Sequence, residues 1–111
     1  MEKTYTVKIT AQAEEQIQDI VQYITHELKA PEAALHLLDV LEESFLSLSH
    51  FPQRVTLVDE EPWHTKGIHR LPVKNFLVYF WIDEDNLKVQ ITAVIYAKRD
   101  QLRQLSQMDI E

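Results

Sequence analysis

The sequence has no cysteine and only one glycine, and both absences exclude whole classes of site. Without cysteine there are no disulfides, no thiolate metal ligands and no thiol nucleophile, a composition that fits a cytoplasmic protein. With Gly67 as its single glycine, the chain has no glycine-rich loop to cradle a phosphate. The Gly-x-Ser-x-Gly turn that presents a serine nucleophile is absent as well.

Long apolar runs are also missing. The longest, Phe76 to Ile82, has seven residues and is too short to cross a membrane. The chain opens Met1-Glu-Lys-Thr-Tyr-Thr-Val, without the cationic start and apolar run of a signal peptide. We therefore expect one soluble cytoplasmic domain over residues 1–111, because a chain of this length supports a single modest core.

Positive charge is scarce and unevenly placed. The net charge is −7, with 4 basic and 12 acidic residues in positions 1–65 but 7 and 6 in positions 66–111. An acidic surface repels phosphate backbones, which argues against non-specific nucleic-acid binding by the whole surface. A local basic site remains open, because most of the basic residues flank the last strands, at Lys66, Arg70, Lys74, Lys98, Arg99 and Arg103.

The first half of the chain predicts one strand and two helices. Residues Thr4 to Thr10 alternate between polar and apolar, which indicates a half-buried strand. From Ala11 the period becomes helical, with Thr10 as the expected N-cap. The predicted apolar stripe of this five-turn helix is Ile17, Ile20, Val21, Ile24 and Leu28.

Lys29-Ala-Pro31 predicts a short break, because the residue before a proline leaves the helical region and Pro31 fits the first turn of a new helix. The second helix is expected to end at Phe51-Pro52. Its predicted apolar stripe is Ala34, Leu38, Leu41, Phe45 and Leu48, widened by Leu35 and Leu37.

The second half predicts a loop and three strands. Residues 53–66 have no period, and we expect Trp63 to hold this loop against the body. Strands are predicted over Ile68–Val73, Phe76–Ile82 and Leu87–Tyr96, and Pro72 favours an edge position for the first of them. The continuous apolar run of the middle strand indicates burial on both faces.

The last strand alternates, with Val89, Ile91, Ala93 and Ile95 expected inward and Lys88, Gln90, Thr92 and Tyr96 outward. The element order is β-α-α-β-β-β. It predicts an α+β fold in which a helical hairpin packs on one face of a small, antiparallel-rich sheet.

Several side chains have an ordinary structural interpretation beside a functional one. The five histidines lack a His-Glu-x-x-His pattern or a carboxylate-rich loop, so we expect no metal and no cofactor, although His64 and His69 offer a general base. Tyr79, Phe80 and Trp81 have faces on which bases stack, but in an apolar strand we expect them in the core. The charges of Arg70, Lys74 and Arg99 also suit solvated strand ends.

Six segments in this order, with these gaps, resemble the RelE/ParE superfamily, the toxins of bacterial type II toxin–antitoxin modules, also known as plasmid stabilisation proteins. The resemblance covers nearly the whole chain. The segments are Thr10-Ala-Gln-Ala-Glu-Glu15, Pro31-Glu-Ala-Ala34, Leu48-Ser-His-Phe-Pro52, Gly67-Ile-His-Arg-Leu-Pro-Val73, Phe76-Leu-Val-Tyr79 and Ala93-Val-Ile-Tyr-Ala-Lys-Arg-Asp100.

The RelE-like branch implies an mRNA endoribonuclease that acts on the ribosome. Such cleavage needs an activated 2′-hydroxyl, a neutralised phosphate and a protonated leaving oxygen. By this resemblance the catalytic residues would be Arg70, Lys74, Tyr96 and Arg99. The chain departs from the pattern at Phe76, where the ribonucleases have arginine, and near Leu105, where they have tyrosine or histidine.

The ParE-like branch implies a toxin that binds and inhibits DNA gyrase without being an enzyme. The helical hairpin, the Phe51-Pro52 end and the basic tail favour it, although Tyr96 stands where these toxins often have histidine. Its target-binding residues would be Lys98, Arg99, Asp100 and Arg103. Both branches imply a cognate antitoxin covering the exposed groove and edges of the sheet, and neither implies a membrane or direct sequence-specific DNA binding. A third alternative is a degenerate, non-toxic module member.

Overall fold

Two helices pack on one face of a four-stranded sheet in the computed structural model, which describes residues 3–97. The strands are β1 (Thr6–Ile9), β2 (His69–Val73), β3 (Phe76–Asp83) and β4 (Lys88–Tyr96), in the order β1-β4-β3-β2. Only β1 pairs in parallel, with β4, and the other two pairings are antiparallel. The expected α+β fold with its antiparallel-rich sheet is confirmed.

The helical hairpin consists of α1 (Ala11–Gln22), which continues into a π-helical turn (Tyr23–Glu27), and α2 (Pro31–Ser47). The predicted cap is present, since the Ala13 N–H donates to the Thr10 hydroxyl at 3.2 Å. The predicted break is present too, with Lys29 in the left-handed region at φ 52°. No helix in residues 3–97 is long and apolar enough to cross a membrane.

The larger core lies between the helices and the face of the sheet that we call the helix-side face. Its fully or nearly buried members include Leu37, Leu41, Phe45, Leu48, Val78, Phe80, Val89 and Ile91. The predicted stripe of α2 was too wide, because Leu35 is 64% exposed. At 3.6 residues per turn Leu35 lies ~200° around the helix from Leu37, so the two cannot face the same core.

A second, smaller core covers the opposite face of the sheet, which we call the far face. It contains Leu77 and Tyr79 from β3, Ala93 and Ile95 from β4, and Val58 and Ile68 from the preceding segment. Trp63 packs against this cluster, as expected for a side chain that holds the loop to the body. The prediction that β3 is covered on both faces is therefore confirmed.

The predicted alternation of β4 was wrong in its second half because of a β-bulge. Tyr79 pairs with Ala93 and Phe80 pairs with Ile91, so Thr92 is an extra residue without an opposite. The extra residue reverses the alternation, and Ala93 faces the far side while Ile91 faces the helices. Thr92, expected outward, is fully buried, and its hydroxyl donates to the Tyr79 carbonyl at 3.1 Å.

Replacing the buried hydroxyl of the bulge should destabilise the fold. We expect Thr92→Val to lower the free energy of unfolding by about 1–3 kcal/mol, because it removes the donor to the Tyr79 carbonyl at nearly constant volume. Thr6→Val, at an exposed position of β1, is the control and should change stability by less than about 0.5 kcal/mol. Urea denaturation of both variants measures this, and equal effects would contradict it.

The cap of α1 should also contribute measurably. Thr10→Ala removes the acceptor of the Ala13 N–H, and we expect a loss of about 0.5–2 kcal/mol in the free energy of unfolding. Thr10→Ser keeps the hydroxyl and is the matched control. A serine variant as unstable as the alanine variant in thermal denaturation would show that the hydroxyl is not responsible.

Candidate functional site

Arg70 lies on the far face, in the middle of β2 and directly opposite Tyr79 of β3. Its backbone N–H donates to the Thr56 carbonyl at 3.0 Å, so the outer edge of β2 is covered at this point by the preceding segment. The side chain is half-buried. Arg70 is therefore a half-buried positive charge on the same face as Tyr79, in the middle of a strand, rather than a freely solvated strand-end charge.

The Tyr79 hydroxyl is influenced electrostatically by this charge. Burial raises the pKa of Tyr79, and Glu60 raises it further, while the Arg70 guanidinium lowers it in part. The buried hydroxyl has no hydrogen-bond partner among residues 3–97. With its pKa above the usual value of about 10, Tyr79 is protonated at neutral pH and is not a general base.

Lys74 lies at one end of the sheet, in the turn between β2 and β3. It is exposed and has a left-handed backbone at φ 57°. The Ala97 N–H donates to the carbonyl of neighbouring Asn75 at 2.9 Å, so the chain leaves β4 beside this turn. The predicted target-binding residues follow directly in the sequence, but Lys98, Arg99, Asp100 and Arg103 lie outside the described residues. Their roles stay predictions.

Tyr96 is the last residue of β4 and lies on the helix-side face. Its ring meets the ring of Phe76 edge-on, with the centroids 5.6 Å apart. Arg70 is on the far face, so the sheet itself separates these two candidate catalytic side chains. Of the four residues predicted from the RelE-like resemblance, Arg70 and Tyr96 are not brought together, Lys74 is at the turn, and Arg99 is not described.

The two histidines considered as bases both bond to backbone carbonyls. His64 Nδ1 is 2.9 Å from the Val58 carbonyl and His69 Nδ1 is 2.8 Å from the Val55 carbonyl. The His69 ring also stacks on Phe80, with the centroids 5.0 Å apart. The His64 bond closes the loop on itself, and the His69 contacts tie Val55 to β2 and β2 to β3. Within residues 3–97 no three potential ligands group as a metal site.

A groove that sequence reasoning did not locate lies between α1 and the second half of β4. Its volume is about 920 Å³, and its apolar lining includes Ile20, Tyr23, Ile24, Phe76, Val94 and Tyr96. It exists because β1 ends at Ile9, opposite Ile91, whereas β4 continues to Tyr96. Two features of the sequence could have indicated the groove: the first strand is shorter than the last, and the apolar stripe of the first helix extends to Leu28.

Two residues make the groove an exposed apolar surface. Tyr23 is 55% exposed and Leu28 is 56% exposed, and both line it. Their helix is acidic, because positions 11–27 contain four carboxylates, Glu14, Glu15, Asp19 and Glu27, and no lysine or arginine. Asp19 itself lines the groove. The groove therefore combines apolar side chains with negative charge.

Comparison with solved structures finds toxins with the same fold. The chromosomal ParDE toxin–antitoxin system of P. aeruginosa matches with a TM-score of 0.70 and 19% identity, over 86% of this chain and 99% of that one. The RelBE2 toxin–antitoxin complex of Mycobacterium tuberculosis matches with a TM-score of 0.60 and 25% identity, over 86% and 94%. A variant of E. coli RelE in the free state, with two arginines replaced by alanine, matches with a TM-score of 0.57 and 10% identity, over 91% of this chain and 92% of that one.

No curated protein matches the sequence significantly. The model of the family described as "ParE toxin of type II toxin-antitoxin system, parDE" matches residues 7–101, which is most of the chain. This match agrees with the fold of the solved toxins. The chain thus belongs to the ParE toxin family of type II toxin–antitoxin systems.

Proposed function

We propose that this protein is a growth-inhibiting toxin that binds DNA gyrase and is neutralised by a cognate antitoxin. We favour a binding protein over an enzyme chiefly because the sheet separates Arg70 from Tyr96. The match to the ParE toxin family supports the same choice.

Cleavage of RNA would require several groups around one phosphate. A base must come within hydrogen-bonding distance of the 2′-hydroxyl, a positive charge within that distance of the phosphate, and an acid within that distance of the leaving oxygen, at about 2.6–3.2 Å. Tyr96 packs against Phe76 on the helix-side face, whereas Arg70 points to the far face. Tyr79 is on the same side as Arg70, but its hydroxyl is buried and its pKa is raised. The described residues therefore favour a protein that binds its target.

A cognate antitoxin is proposed on two grounds. Two of the solved relatives are toxin–antitoxin assemblies, ParDE and RelBE2. This chain also exposes Tyr23 and Leu28 beside a large apolar groove, and contiguous exposed apolar surface marks interaction sites. An antitoxin covering this surface would remove it from water.

The target can be distinguished by what happens in a bacterium minutes after the protein is induced. We expect growth arrest with a raised DNA-damage reporter signal and no new mRNA cuts by primer extension. Arg70→Ala and Tyr96→Phe should arrest growth as the parent does, because neither side chain would act on RNA. Translation-dependent cuts inside codons, lost in either folded variant, would instead establish a ribonuclease.

The basic residues after β4 should matter for binding to the target. Reversing Lys98, Arg99 and Arg103 to glutamate should abolish growth arrest, since it replaces three positive charges with negative ones. The matched control reverses Lys3, Lys8 and Lys29, which are exposed, and changes the net charge equally. Colony counts measure the effect and circular dichroism checks folding. Equal loss in both triple variants would indicate a net-charge effect and contradict a local site.

A further inference from the structure

We propose that the groove between α1 and α2 is a contact site for the target, and that it takes a basic, amphipathic helix of that protein. The inference rests on the proposed function, because the partner is the gyrase proposed above. The surface is separate from the one proposed for the antitoxin and from the basic residues after β4.

The groove lies between the two helices of the hairpin, and we call it the hairpin groove. Its volume is about 290 Å³, and it is lined by Ile17, Leu38, Leu41, Glu42 and Phe45. None of these residues lines the groove between α1 and β4. Leu41 and Phe45 are buried, whereas Glu42 is exposed. The hairpin groove is therefore apolar inside and has a carboxylate at its rim.

Two exposed leucines of α2 extend this apolar surface. Leu35 is 64% exposed and Leu46 is 62% exposed. With 3.6 residues per turn, they project about 60–80° around the helix from Leu38, on the same side as Glu42, and are about 16 Å apart along the axis. Large apolar side chains left in water beside an apolar groove mark an interaction surface.

The surface suits a helix better than a strand. The backbone groups of α1 and α2 are bonded within their own helices, so they cannot pair with an added strand. A helix needs only side-chain contacts, since its apolar residues at i, i+3, i+4 and i+7 pack into the groove between two other helices. The distance from Leu35 to Leu46 corresponds to about three turns of such a helix.

The charge around the hairpin groove selects a basic partner. Positions 11–27 and 31–47 contain four carboxylates each and no lysine or arginine. On α2, Asp39, Glu32 and Glu43 project about 100–140° from Leu38, so they border the two leucines on the side away from the groove. Lysine and arginine beside the apolar positions of a partner helix would be attracted to this border.

The proposed target can supply a basic segment. An enzyme that acts on DNA carries lysine and arginine where it neutralises phosphates. A second copy of this chain is a poor occupant, because its net charge is −7 and its own helices are acidic.

The basic residues after β4 are also a poor occupant of the hairpin groove. The chain reaches them through Ala97, which packs against the core of the far face. The hairpin covers the opposite face of the sheet. Residues 98–111 therefore start from the side of the sheet that is away from the helices, whereas a helix of another protein can approach the hairpin directly.

A photoreactive side chain identifies what lies against the groove. Benzoylphenylalanine is placed at position 46 of the full-length protein, which is irradiated with purified DNA gyrase, and mass spectrometry identifies the cross-linked peptides. We expect a gyrase segment with lysine or arginine beside apolar residues at helical spacing. A cross-link to an acidic gyrase segment, to a second copy of this chain or to residues 98–111 would overturn the inference.

Exchanging the exposed leucines for a polar residue of unchanged charge tests the apolar contact. We expect Leu35→Gln and Leu46→Gln each to weaken gyrase binding about tenfold by surface plasmon resonance, because they remove apolar surface beside the groove. Ile9→Thr replaces another exposed apolar side chain, 41% exposed on edge strand β1, and should change binding less than twofold. Circular dichroism checks that all three variants fold as the parent does.

A matched pair of double variants tests the charge. Asp39→Asn with Glu43→Gln removes two carboxylates from the border of the groove, and Asp59→Asn with Asp85→Asn removes two exposed ones elsewhere. Only the first pair should weaken gyrase binding severalfold, and it should also reduce the loss of binding at high salt, since fewer charge pairs remain to be screened. Equal effects of the two pairs would point to net charge and contradict a local border.

The outcomes separate this inference from the proposed function. If the parent protein neither binds nor inhibits gyrase, the proposed function fails, and the inference fails with it. If the parent binds gyrase but both glutamine variants bind as tightly as the parent, gyrase uses another surface and only the inference is overturned. Glutamine variants that keep gyrase binding but lose binding of the co-expressed antitoxin would assign the hairpin groove to the antitoxin, which also overturns it.

Discussion

The pairing of β3 with β4 through the bulge at Thr92 is the constraint on which the rest of the structure depends. These two strands form the middle of the sheet, and both of their faces are buried. The extra residue sends Ile91 toward the helices and Ala93 toward the far face, so one strand supplies both cores. The buried Thr92 hydroxyl, bonded to the Tyr79 carbonyl, satisfies a polar group in the middle of this apolar layer.

A sheet covered on both faces divides the polar side chains of the protein into separate groups. Arg70 shares the far face with buried Tyr79, whereas Tyr96 shares the helix-side face with Phe76 and the groove. Residues that are close in sequence or on neighbouring strands can thus be chemically unrelated. The catalytic role that the RelE-like resemblance implied for Arg70, Lys74 and Tyr96 stays a prediction, and within residues 3–97 Arg70 and Tyr96 lie on opposite faces of the sheet.

The parts of the fold that local signals determine could be predicted from the sequence. The Thr10 cap and the break at Lys29-Ala-Pro31 depend on neighbouring residues, and they appear where the pattern indicated. The bulge could not be predicted, because Thr92 fits an alternating strand as an ordinary outward position. Its burial is decided by how β3 pairs with β4, which is a tertiary property. The groove is of the same kind, since it results from the unequal lengths of paired strands.

The start of α1 and the end of the β1–β4 pairing at Ile91 have a single cause. At Thr10 the chain leaves the strand direction: its N–H still bonds to the Ile91 carbonyl, while its hydroxyl already caps the helix. The same turn that lets α1 cover the sheet therefore ends β1 before β4 has been paired along its length. Gln16, in the second turn of the helix, accepts the Val94 N–H in place of a strand carbonyl. A chain with this connection can complete either the helical cover or the sheet edge. Within residues 3–97 no strand lies beside Tyr96 on the β1 side of β4, which is the physical consequence of the first choice.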